Sequence, residues 1–450
     1  MSWIDERAAD LDADEFGFDV VPASDQSFEN ALAKARDGVR LTVDDGIELI
    51  TTGTDVDGID SRRKELVLEA ADRRRAAVVG DEVTFIANVN NNVTTACNTG
   101  CLFCNFKDTA HQFETDYQQE HGGFTKTPAE SREIVGDAVE RGVYEVTSVS
   151  GLHPALGLNE EHRELLDPDD PELNYEPPEA YETDPTTYRE QIAAMADTGA
   201  HVHSMTPEEV DHAQRGADWG YERVYRELAD VGLKTVPGTA AEILVDEVRD
   251  IICPGKISTE EWVASMEAAA DVGLPMTATM MYGHVENEAH RVEHLKVLRD
   301  LQDRTGNITE FVPLSFIHQE TPLHEHGVVE SGASKAEDEL LIAVARLFLD
   351  NVEHIQSSWV KYGDEFGLKL LNCGADDFMG TILSEEITKR AGGEYGEFRS
   401  FRDYVEMLSA IGRPPVERTT DYTERRRIDT DAAVFGPELG PRADGTPLLE

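Results

Sequence analysis

Three cysteines lie within eight residues of one another, at Cys97, Cys101 and Cys104, in the pattern C-x3-C-x2-C. They directly follow the apolar stretch VTFIANVN, which is typical of a buried β-strand. Three thiolates at this spacing supply three ligands to a cubane [4Fe-4S] cluster and leave one iron without a protein ligand. The pattern therefore predicts one such cluster per chain.

Zinc is the alternative occupant of this cysteine motif. A structural zinc site takes four ligands at metal spacing, and no second C-x2-C pair follows. A catalytic zinc site with three protein ligands stays open. Cys253 and Cys373 stand alone in the sequence and are expected as buried apolar side chains. Phe103 is expected to shield a cluster from water and to offer a flat face to a purine.

The composition is strongly acidic, with 90 Asp and Glu against 40 Lys and Arg and a formal net charge of −50. Lysine is scarce, at 11 residues against 29 arginines. Because 40% of the residues are hydrophobic, this is typical of a folded protein kept soluble in concentrated salt, where self-repulsion is screened. The composition indicates a halophile, and the lack of a basic stripe argues against a nucleic-acid partner.

The amino terminus, MSWIDERAADLDADEF, lacks the pattern of a signal peptide. No stretch approaches the roughly 20 apolar residues that a membrane helix requires. We therefore expect a cytoplasmic protein with no membrane partner. Thiols stay reduced in that compartment, so the cysteine motif is expected to bind a metal or cluster instead of forming disulfides.

Short strand-like segments alternate with amphipathic helical segments along most of the 450 residues. About eight such units predict an α/β fold of the TIM-barrel type, a (β/α)8 barrel, with an open doubly wound sheet as the alternative. The predicted organisation is an acidic leader at 1–28, a helical preamble at 29–80, a barrel at 81–410 with an acidic insertion near 157–186, and a carboxyl-terminal tail at 411–450.

Polar residues follow the predicted strands at their carboxyl ends. In a barrel these ends meet on one face, where active sites are built, so a site is expected there. A single histidine at such a position serves equally well as a hydrogen-bonded core residue. The residues at these ends are Gly151, His153, His201, His203, Glu242, Tyr282, His284, Ser315, His318, Gln356, Ser357, Ser358, Gly374, Asp376 and Asp377.

The cysteine motif, with an aromatic residue before its last cysteine, resembles that of the radical S-adenosylmethionine (SAM) superfamily. Within that superfamily the chain resembles the FO synthase subunit 2 family of deazaflavin biosynthesis, from about Ala31 to Met407. The motifs that carry the resemblance are CNTGCLFCNF, SGLHP, HVHSMTPEEV, GTAAEIL, TATMMYGHVE, TEFVPLSFIH, QSSWVKYG and GADDFMGT.

The resemblance implies a [4Fe-4S] cluster on the three cysteines and SAM as cofactors. It implies that a 5'-deoxyadenosyl radical takes hydrogen from L-tyrosine and that the Cα–Cβ bond of tyrosine then breaks. The 4-hydroxybenzyl group adds to 5-amino-6-(D-ribitylamino)uracil, and 2-iminoacetate leaves. FO synthase subunit 1 is the implied functional partner, because it would close the deazaflavin ring.

The resemblance also implies roles for individual residues. The expected cofactor contacts are Phe103, Gly151, Glu242 and Arg249. The expected catalytic residues are Tyr282 and His284. The expected substrate contacts are Ser315, Gln356, Ser357, Asp376 and Asp377. Met379 departs from the family pattern, which generally has glycine at this position.

Two other hypotheses stay open. The first is a sister radical enzyme of the futalosine route to menaquinone, either aminofutalosine synthase or dehypoxanthine futalosine cyclase, since these share the cysteine motif and much of the barrel. The second is a non-catalytic iron–sulfur or zinc protein that uses the three cysteines as a structural staple. A staple needs no cavity, so the polar strand ends argue against the second hypothesis.

Overall fold

The structure is a computed structural model. It describes residues 25–51, 61–97, 99–104, 123–153, 156–158, 187–214, 219–382, 392–395 and 399–432. The predicted insertion near 157–186 lies outside these residues apart from its first two, and so do residues 1–24 of the predicted leader and 433–450 of the predicted tail.

Parallel strands form the centre of the molecule. They are β1 (Val83–Ile86), β2 (Asn88–Asn90), β3 (Glu145–Ser148), β4 (His201–Ser204), β5 (Leu233–Thr235), β6 (Met276–Tyr282), β7 (Ile308–Ser315), β8 (His354–Ile355) and β9 (Asp377–Gly380). Two further strands, β10 (Pro415–Arg418) and β11 (Arg425–Arg427), follow near the carboxyl terminus.

The strands from β1 to β9 close into a barrel. Parallel pairing runs from β2 through β3 and β4 to β5, and from β6 through β7 to β8. Parallel bridges of Val236 with Met276 and of Gln356 with Asp377 join these runs to each other and to β9. Strand β9 pairs with β1, which continues into β2 after Ala87. The described residues therefore form eight staves, and the predicted (β/α)8 barrel is confirmed.

Helices fill the connections between the strands. They are α1 (Asp25–Arg36), α2 (Val43–Ile50), α3 (Ser61–Val79), α4 (Pro128–Glu140), α5 (Tyr188–Ala196), α6 (Pro207–Gln214), α7 (Tyr221–Asp230), α8 (Asp246–Ile252), α9 (Thr259–Val272), α10 (Glu288–Thr305), α11 (Pro322–Glu325), α12 (Lys335–Phe348), α13 (Trp359–Tyr362), α14 (Asp364–Leu370) and α15 (Phe401–Ala410). None of the described helices is long and apolar enough to cross a membrane.

Local sequence sets where several helices begin. Ser258 precedes α9, and its hydroxyl accepts a hydrogen bond from the backbone N–H of Glu261. The Glu261 carboxylate accepts one in return from the backbone N–H of Ser258 at 2.8 Å. This reciprocal capping satisfies two N–H groups that a helix start leaves without partners. The same S/T-x-x-E pattern starts α4 and α12.

The first three helices lie against the barrel's outer helices. Arg299 of α10 donates a hydrogen bond to the carbonyl of Leu41 at 2.8 Å. Lys64 of α3 forms an ion pair with Glu339 of α12 at 2.8 Å. These contacts join residues that are more than 250 positions apart in the chain, so the amino-terminal helices are part of the barrel's outer layer.

The segment predicted as a tail from residue 411 contains two paired strands in the part that the structure describes. Strand β10 pairs in parallel with β1, with Val83 opposite Pro415 and Phe85 opposite Glu417. Strand β11 returns antiparallel to β10. Strand β3 pairs with β2 and not with β1. The edge of β1 that faces away from β9 therefore pairs with β10, which lies just beyond the amino-terminal end of β3.

Candidate active site

The barrel encloses a cavity of about 390 Å³. Alternate residues of the strands line it, which is the period expected of side chains that point into a barrel. Strand β6 contributes Thr277, Thr279 and Met281, and β7 contributes Glu310, Val312 and Leu314 among others. The cavity extends from the cysteine motif to the first residues of the strands.

The loop after β2 brings the three cysteines to the cavity. Cys97, Cys101 and Cys104 all line it, and of these Cys101 is buried. The loop is held at its centre, because the N–H of Leu102 donates to the carbonyl of Ile252 at 2.9 Å. This anchoring fixes the position of the thiols relative to α8.

Gly151 makes close packing of the cysteine loop possible. A Cβ atom at this position would lie 2.2 Å from the carbonyl oxygen of Ala96 and 3.2 Å from Cβ of Cys97. Only a residue without a side chain fits there. The predicted importance of Gly151 thus has a structural cause, although the close contact is with the cysteine loop itself.

A partly buried cation, Lys256, lies beside the thiols. Lys256 donates a hydrogen bond to Glu242 at 2.6 Å, and its Nζ is 5.5 Å from the centre of the Phe103 ring. Burial opposes the charge of Lys256, but Glu242 and Cys101 raise its pKa well above the usual value. Glu242, Phe103 and Lys256 all line the cavity. A positive charge at this place fits an anionic cluster with thiolate ligands.

The three cysteines also fit a cluster in their spacing. Among the residues that the structure describes, no three His, Cys, Asp or Glu side chains are gathered around one point as a single metal ion would require. A cubane does not need such a gathering, because each cysteine binds a different iron.

Arg249, a predicted cofactor contact, does not line the cavity. Its guanidinium is buried and donates to the carbonyl of Ala241 at 2.5 Å and to that of Ile257 at 2.6 Å. These bonds tie together the loop that carries Glu242 and the loop that carries Lys256. Arg249 therefore positions cavity residues without touching the cavity.

Tyr282 and His284 also lie outside the cavity lining. The Tyr282 hydroxyl donates to Asp338 at 2.6 Å and lies 2.9 Å from the hydroxyl of Tyr362. The His284 side chain is fully buried and lies 2.9 Å from the carboxylate of Glu286. The catalytic roles of both residues stay a prediction, and their side chains lie outside the cavity lining. On β6, Tyr282 is out of phase with Met281, which does line the cavity.

The predicted substrate contacts divide in two. Ser315 and Gln356 line the cavity, whereas Ser357 does not, because its hydroxyl donates to the carbonyl of Gly367 at 2.9 Å. Asp376 is also outside the lining and binds Arg346 at 2.5 Å and His354 at 2.6 Å. Ser357 and Asp376 therefore lie outside the cavity lining, and their contact with substrate stays a prediction.

Asp377 lies one layer behind the cavity. It is fully buried, and its carboxylate accepts from Thr84 Oγ1 at 2.7 Å and from Nε of Arg418 at 2.7 Å. Arg418 itself lines the cavity. The predicted direct contact of Asp377 with substrate is thus replaced by an indirect role, which is to hold Arg418 in place.

Sequence analysis missed a polar set at the amino-terminal end of the cavity, here called the cavity floor. Its members are Glu145, His203, Glu310, Arg418 and Thr420. His203 was expected at a strand end but was given no role. Charged residues inside the apolar strands β3 and β7 were an available signal, since a buried charge needs partners. Arg418 and Thr420 were hidden because their segment was predicted to be a tail.

Hydrogen bonds connect the members of the cavity floor. Glu310 accepts from Nη2 of Arg418 at 3.2 Å and from the hydroxyl of Tyr422 at 2.7 Å. Glu145 accepts from the hydroxyl of Thr420 at 2.5 Å. Burial raises the pKa of Glu310 to about 7, and burial lowers the pKa of His203 to about 4, so this imidazole is neutral at pH 7.

Met379 lines the cavity at the carboxyl end of β9 with a backbone φ of 66°. This left-handed conformation favours glycine, the residue that the family pattern has there. The departure from the pattern therefore keeps the backbone conformation and adds a side chain to the cavity.

Comparisons with known proteins identify the family of the chain. Residues 91–298 match the model of the radical SAM superfamily, and residues 305–430 match that of the CofH/MqnC C-terminal region. The second match includes β10 and β11, so the segment predicted as a tail belongs to the matched region. It also contains Arg418 and Thr420 of the cavity floor.

Two relatives are similar over nearly the whole chain. The 5-amino-6-(D-ribitylamino)uracil--L-tyrosine 4-hydroxyphenyl transferase of Halobacterium salinarum is 76% identical over 97% of each chain. The enzyme of the same name from Haloarcula marismortui is 72% identical over 96% of each chain.

A solved structure supports the fold. Methylornithine synthase has a TM-score of 0.59 at 17% identity, and the match covers 86% of this chain and 97% of that one. With the cysteine loop at the mouth of a closed barrel and relatives of this similarity, the predicted resemblance is confirmed: the chain belongs to the radical SAM family of 5-amino-6-(D-ribitylamino)uracil--L-tyrosine 4-hydroxyphenyl transferases.

Proposed function

We propose that this protein cleaves L-tyrosine and transfers its 4-hydroxybenzyl group to 5-amino-6-(D-ribitylamino)uracil, releasing 2-iminoacetate. The observation that carries the proposal is a cavity in the barrel with three thiols at one end and a hydrogen-bonding floor at the other. The names of the relatives at 76% and 72% identity supply the substrates.

The cofactors are a [4Fe-4S] cluster, which Cys97, Cys101 and Cys104 would hold, and SAM. When bound, they supply a carbon radical that removes a hydrogen atom from tyrosine. The chain's own residues surround this chemistry. Phe103 and Glu242 line the cavity beside the thiols, and Lys256 holds Glu242 in place.

The cavity walls keep the reactants together and exclude water. Val312 and Leu314 of β7 present apolar surface between the floor and the mouth, while Ser315 and Gln356 offer polar groups. Holding two substrates in fixed relative positions replaces a bimolecular encounter with an intramolecular one. A dry cavity also protects a radical from side reactions. These are the contributions that the protein itself makes to the transfer.

We also propose a functional partner and a location. FO synthase subunit 1 would take the product onward, because the adduct still needs ring closure. A reducing cytoplasm suits the protein, because the cysteines must stay free of disulfides to bind a cluster.

Product analysis under anaerobic conditions tests the proposed function. The reconstituted protein is incubated with SAM, dithionite, L-tyrosine and the ribitylaminouracil, and the products are identified by mass spectrometry. We expect 5'-deoxyadenosine and a 4-hydroxybenzyl adduct of the uracil. The sister enzymes of menaquinone biosynthesis are tested in parallel with their own precursors. A futalosine-type product with no uracil adduct would overturn the proposal.

A further inference from the structure

The geometry points to the cavity floor as the binding site for the polyol chain of the ribitylaminouracil, with Glu310 as a direct contact, Arg418 as the support of Glu310 and Thr420 as the support of Glu145. This inference rests on the proposed function and assigns one substrate to one end of the cavity. It gives a role to β10 and β11, which lie outside the eight staves of the barrel.

The position of β10 brings polar groups where the barrel would otherwise stay open. This strand pairs with residues 83–85 of β1, just beyond the amino-terminal end of β3. Arg418 ends β10, and Thr420 follows after one residue. Both are buried, with 4% and 2% of their surface exposed, yet both line the cavity. The carboxyl-terminal segment therefore closes the cavity with hydrogen-bonding side chains.

Glu310 presents an unused acceptor to this end of the cavity. Its Oε2 accepts from three donors, namely Gln356 at 3.3 Å, Arg418 at 3.2 Å and Tyr422 at 2.7 Å. Within the described part of the chain, no donor contacts Oε1. The residue is 4% exposed and lines the cavity. Oε1 can therefore accept a hydrogen bond from a ligand in the cavity.

The charge of the floor selects which ligand group fits. Among the described residues of the floor, Arg418 is the cation, and it contacts Glu310 and also Asp377 behind the floor. Burial raises the pKa of Glu310 to about 7 and lowers that of His203 to about 4, so at pH 7 Glu310 is partly protonated and His203 is neutral. Such a floor favours uncharged donors and disfavours the carboxylate of tyrosine. Hydroxyl groups of a polyol donate without carrying charge, so the ribityl chain matches the floor better than the amino acid does.

The depth of the cavity leaves room for the uracil ring above the floor. Glu310 and Ser315 are five residues apart on β7, which corresponds to about 17 Å along a strand. A polyol chain at the floor therefore places the ring between the floor and the cysteine loop. The reacting carbon of the ring then faces the end of the cavity where tyrosine and the cofactor meet.

Steady-state kinetics of Glu310→Gln test this assignment. The acceptor substrate is compared with 5-amino-6-(pentylamino)uracil, which keeps the five-carbon chain without its hydroxyls. We expect the variant to raise KM for the ribityl substrate by about 10-fold, the upper end of the usual cost of losing one hydrogen bond. KM for tyrosine and KM for the pentyl analogue should stay unchanged.

Two further variants guard against misfolding and non-specific effects. Thr420→Val keeps the side-chain shape, removes the donor to Glu145, and should raise the same KM. Glu417→Gln is the matched control, because Glu417 lies next to Arg418 on β10 and pairs outside with Arg426; it should behave as wild type. Melting temperature and cluster absorbance report whether each variant is folded.

The outcomes separate this inference from the proposed function. An unchanged KM for the ribityl substrate in folded Glu310→Gln and Thr420→Val overturns the assignment of the floor. A raised KM for tyrosine instead also overturns it, because the floor would then hold the amino acid. If the wild-type protein forms no uracil adduct at all, it is the proposed function that fails.

Discussion

The five cysteines fall into two groups by environment. Cys97, Cys101 and Cys104 line the cavity, whereas Cys253 and Cys373 are buried away from it, with 1% and 3% of their surface exposed. Burial raises the pKa of both buried thiols to about 12. Because a thiolate is the form that binds metal, only the first group is suited to ligation.

Replacing any one of Cys97, Cys101 or Cys104 by Ala should abolish the cluster. The reason is that a cubane with three protein ligands cannot spare one of them. Cys253→Ala and Cys373→Ala are the controls and should keep full iron and sulfide content. Chemical analysis of iron and sulfide after anaerobic purification makes the comparison. Stoichiometric zinc without iron or sulfide in the wild type would contradict the cluster assignment.

Glu242→Gln should weaken SAM binding while the cluster stays intact. Glu242 lines the cavity and is held by Lys256 at 2.6 Å, but it does not belong to the cysteine loop. Loss of a charged hydrogen-bonding partner predicts an affinity roughly 10-fold lower or more. Equilibrium binding of SAM to the reconstituted protein measures this. Glu260→Gln, at an exposed position, is the control, and equal affinity in the two variants would exclude a role for Glu242.

At the scale of elements, the loops between strands depend on a few buried side chains. Arg249 joins the loop after β5 to the loop before α9 through the carbonyls of Ala241 and Ile257. No solvent replaces these bonds, because the guanidinium is buried. The loop that carries Glu242 therefore owes its position to a residue outside the cavity.

Arg249→Met should lower the free energy of unfolding by about 2–4 kcal/mol, since several buried carbonyls lose their donor. Denaturant titration measures the change. The Arg249→Met substitution should also weaken SAM binding, because the loop that carries Glu242 would be displaced. Arg226→Met removes an exposed arginine and should leave stability unchanged. A stability equal to wild type in Arg249→Met would show that the carbonyls find other donors.

The barrel was predictable from sequence because apolar strands alternate regularly with amphipathic helices. The cavity-lining residues were harder to predict. A position at the end of a strand does not by itself show whether the side chain points into the barrel or away from it. Gln356 and Ser358 line the cavity, whereas Ser357 between them does not. Met281 lines it and Tyr282 does not. Side chains alternate between the two faces of a strand, so residues two positions apart share a face and neighbouring residues do not.

Strand β10 could not be predicted in the same way. Its sequence, PVER, is short and is followed by the polar stretch TTDYTERRR. Its extended conformation depends on pairing with β1, which is more than 300 residues earlier in the chain. Pairing over such a distance leaves no local signal. Two members of the cavity floor, Arg418 and Thr420, lie at the end of this strand and just after it. The floor could not be predicted for the same reason.

At the scale of the whole molecule, the formal net charge of −50 determines how stability depends on salt. Like charges repel over about 10 Å at roughly 0.1 M salt and over much shorter distances in concentrated salt. The buried pairs, such as Arg418 with Asp377 at 2.7 Å, are screened far less. Salt therefore acts mainly on the acidic surface.

The melting temperature should rise substantially between roughly 0.1 M and multimolar potassium chloride, because screening removes the repulsion among surface carboxylates. Circular dichroism at both salt concentrations measures this. Unfolding should begin as salt is withdrawn. Equal melting temperatures and equal spectra in both conditions would contradict adaptation to salt.

In the proposed function, tyrosine is cleaved in the barrel cavity and its ring-bearing fragment is captured there by the uracil. The most direct test of this claim follows the fate of the tyrosine Cβ. Tyrosine labelled with 13C at Cβ is incubated with the anaerobic protein, SAM, dithionite and the ribitylaminouracil, and the products are analysed by mass spectrometry. Cleavage of the Cα–Cβ bond with transfer predicts the label in the uracil adduct and none in 2-iminoacetate or the glyoxylate formed from it. Label in the two-carbon product, or an unlabelled uracil substrate recovered unchanged while SAM is consumed, would contradict the transfer.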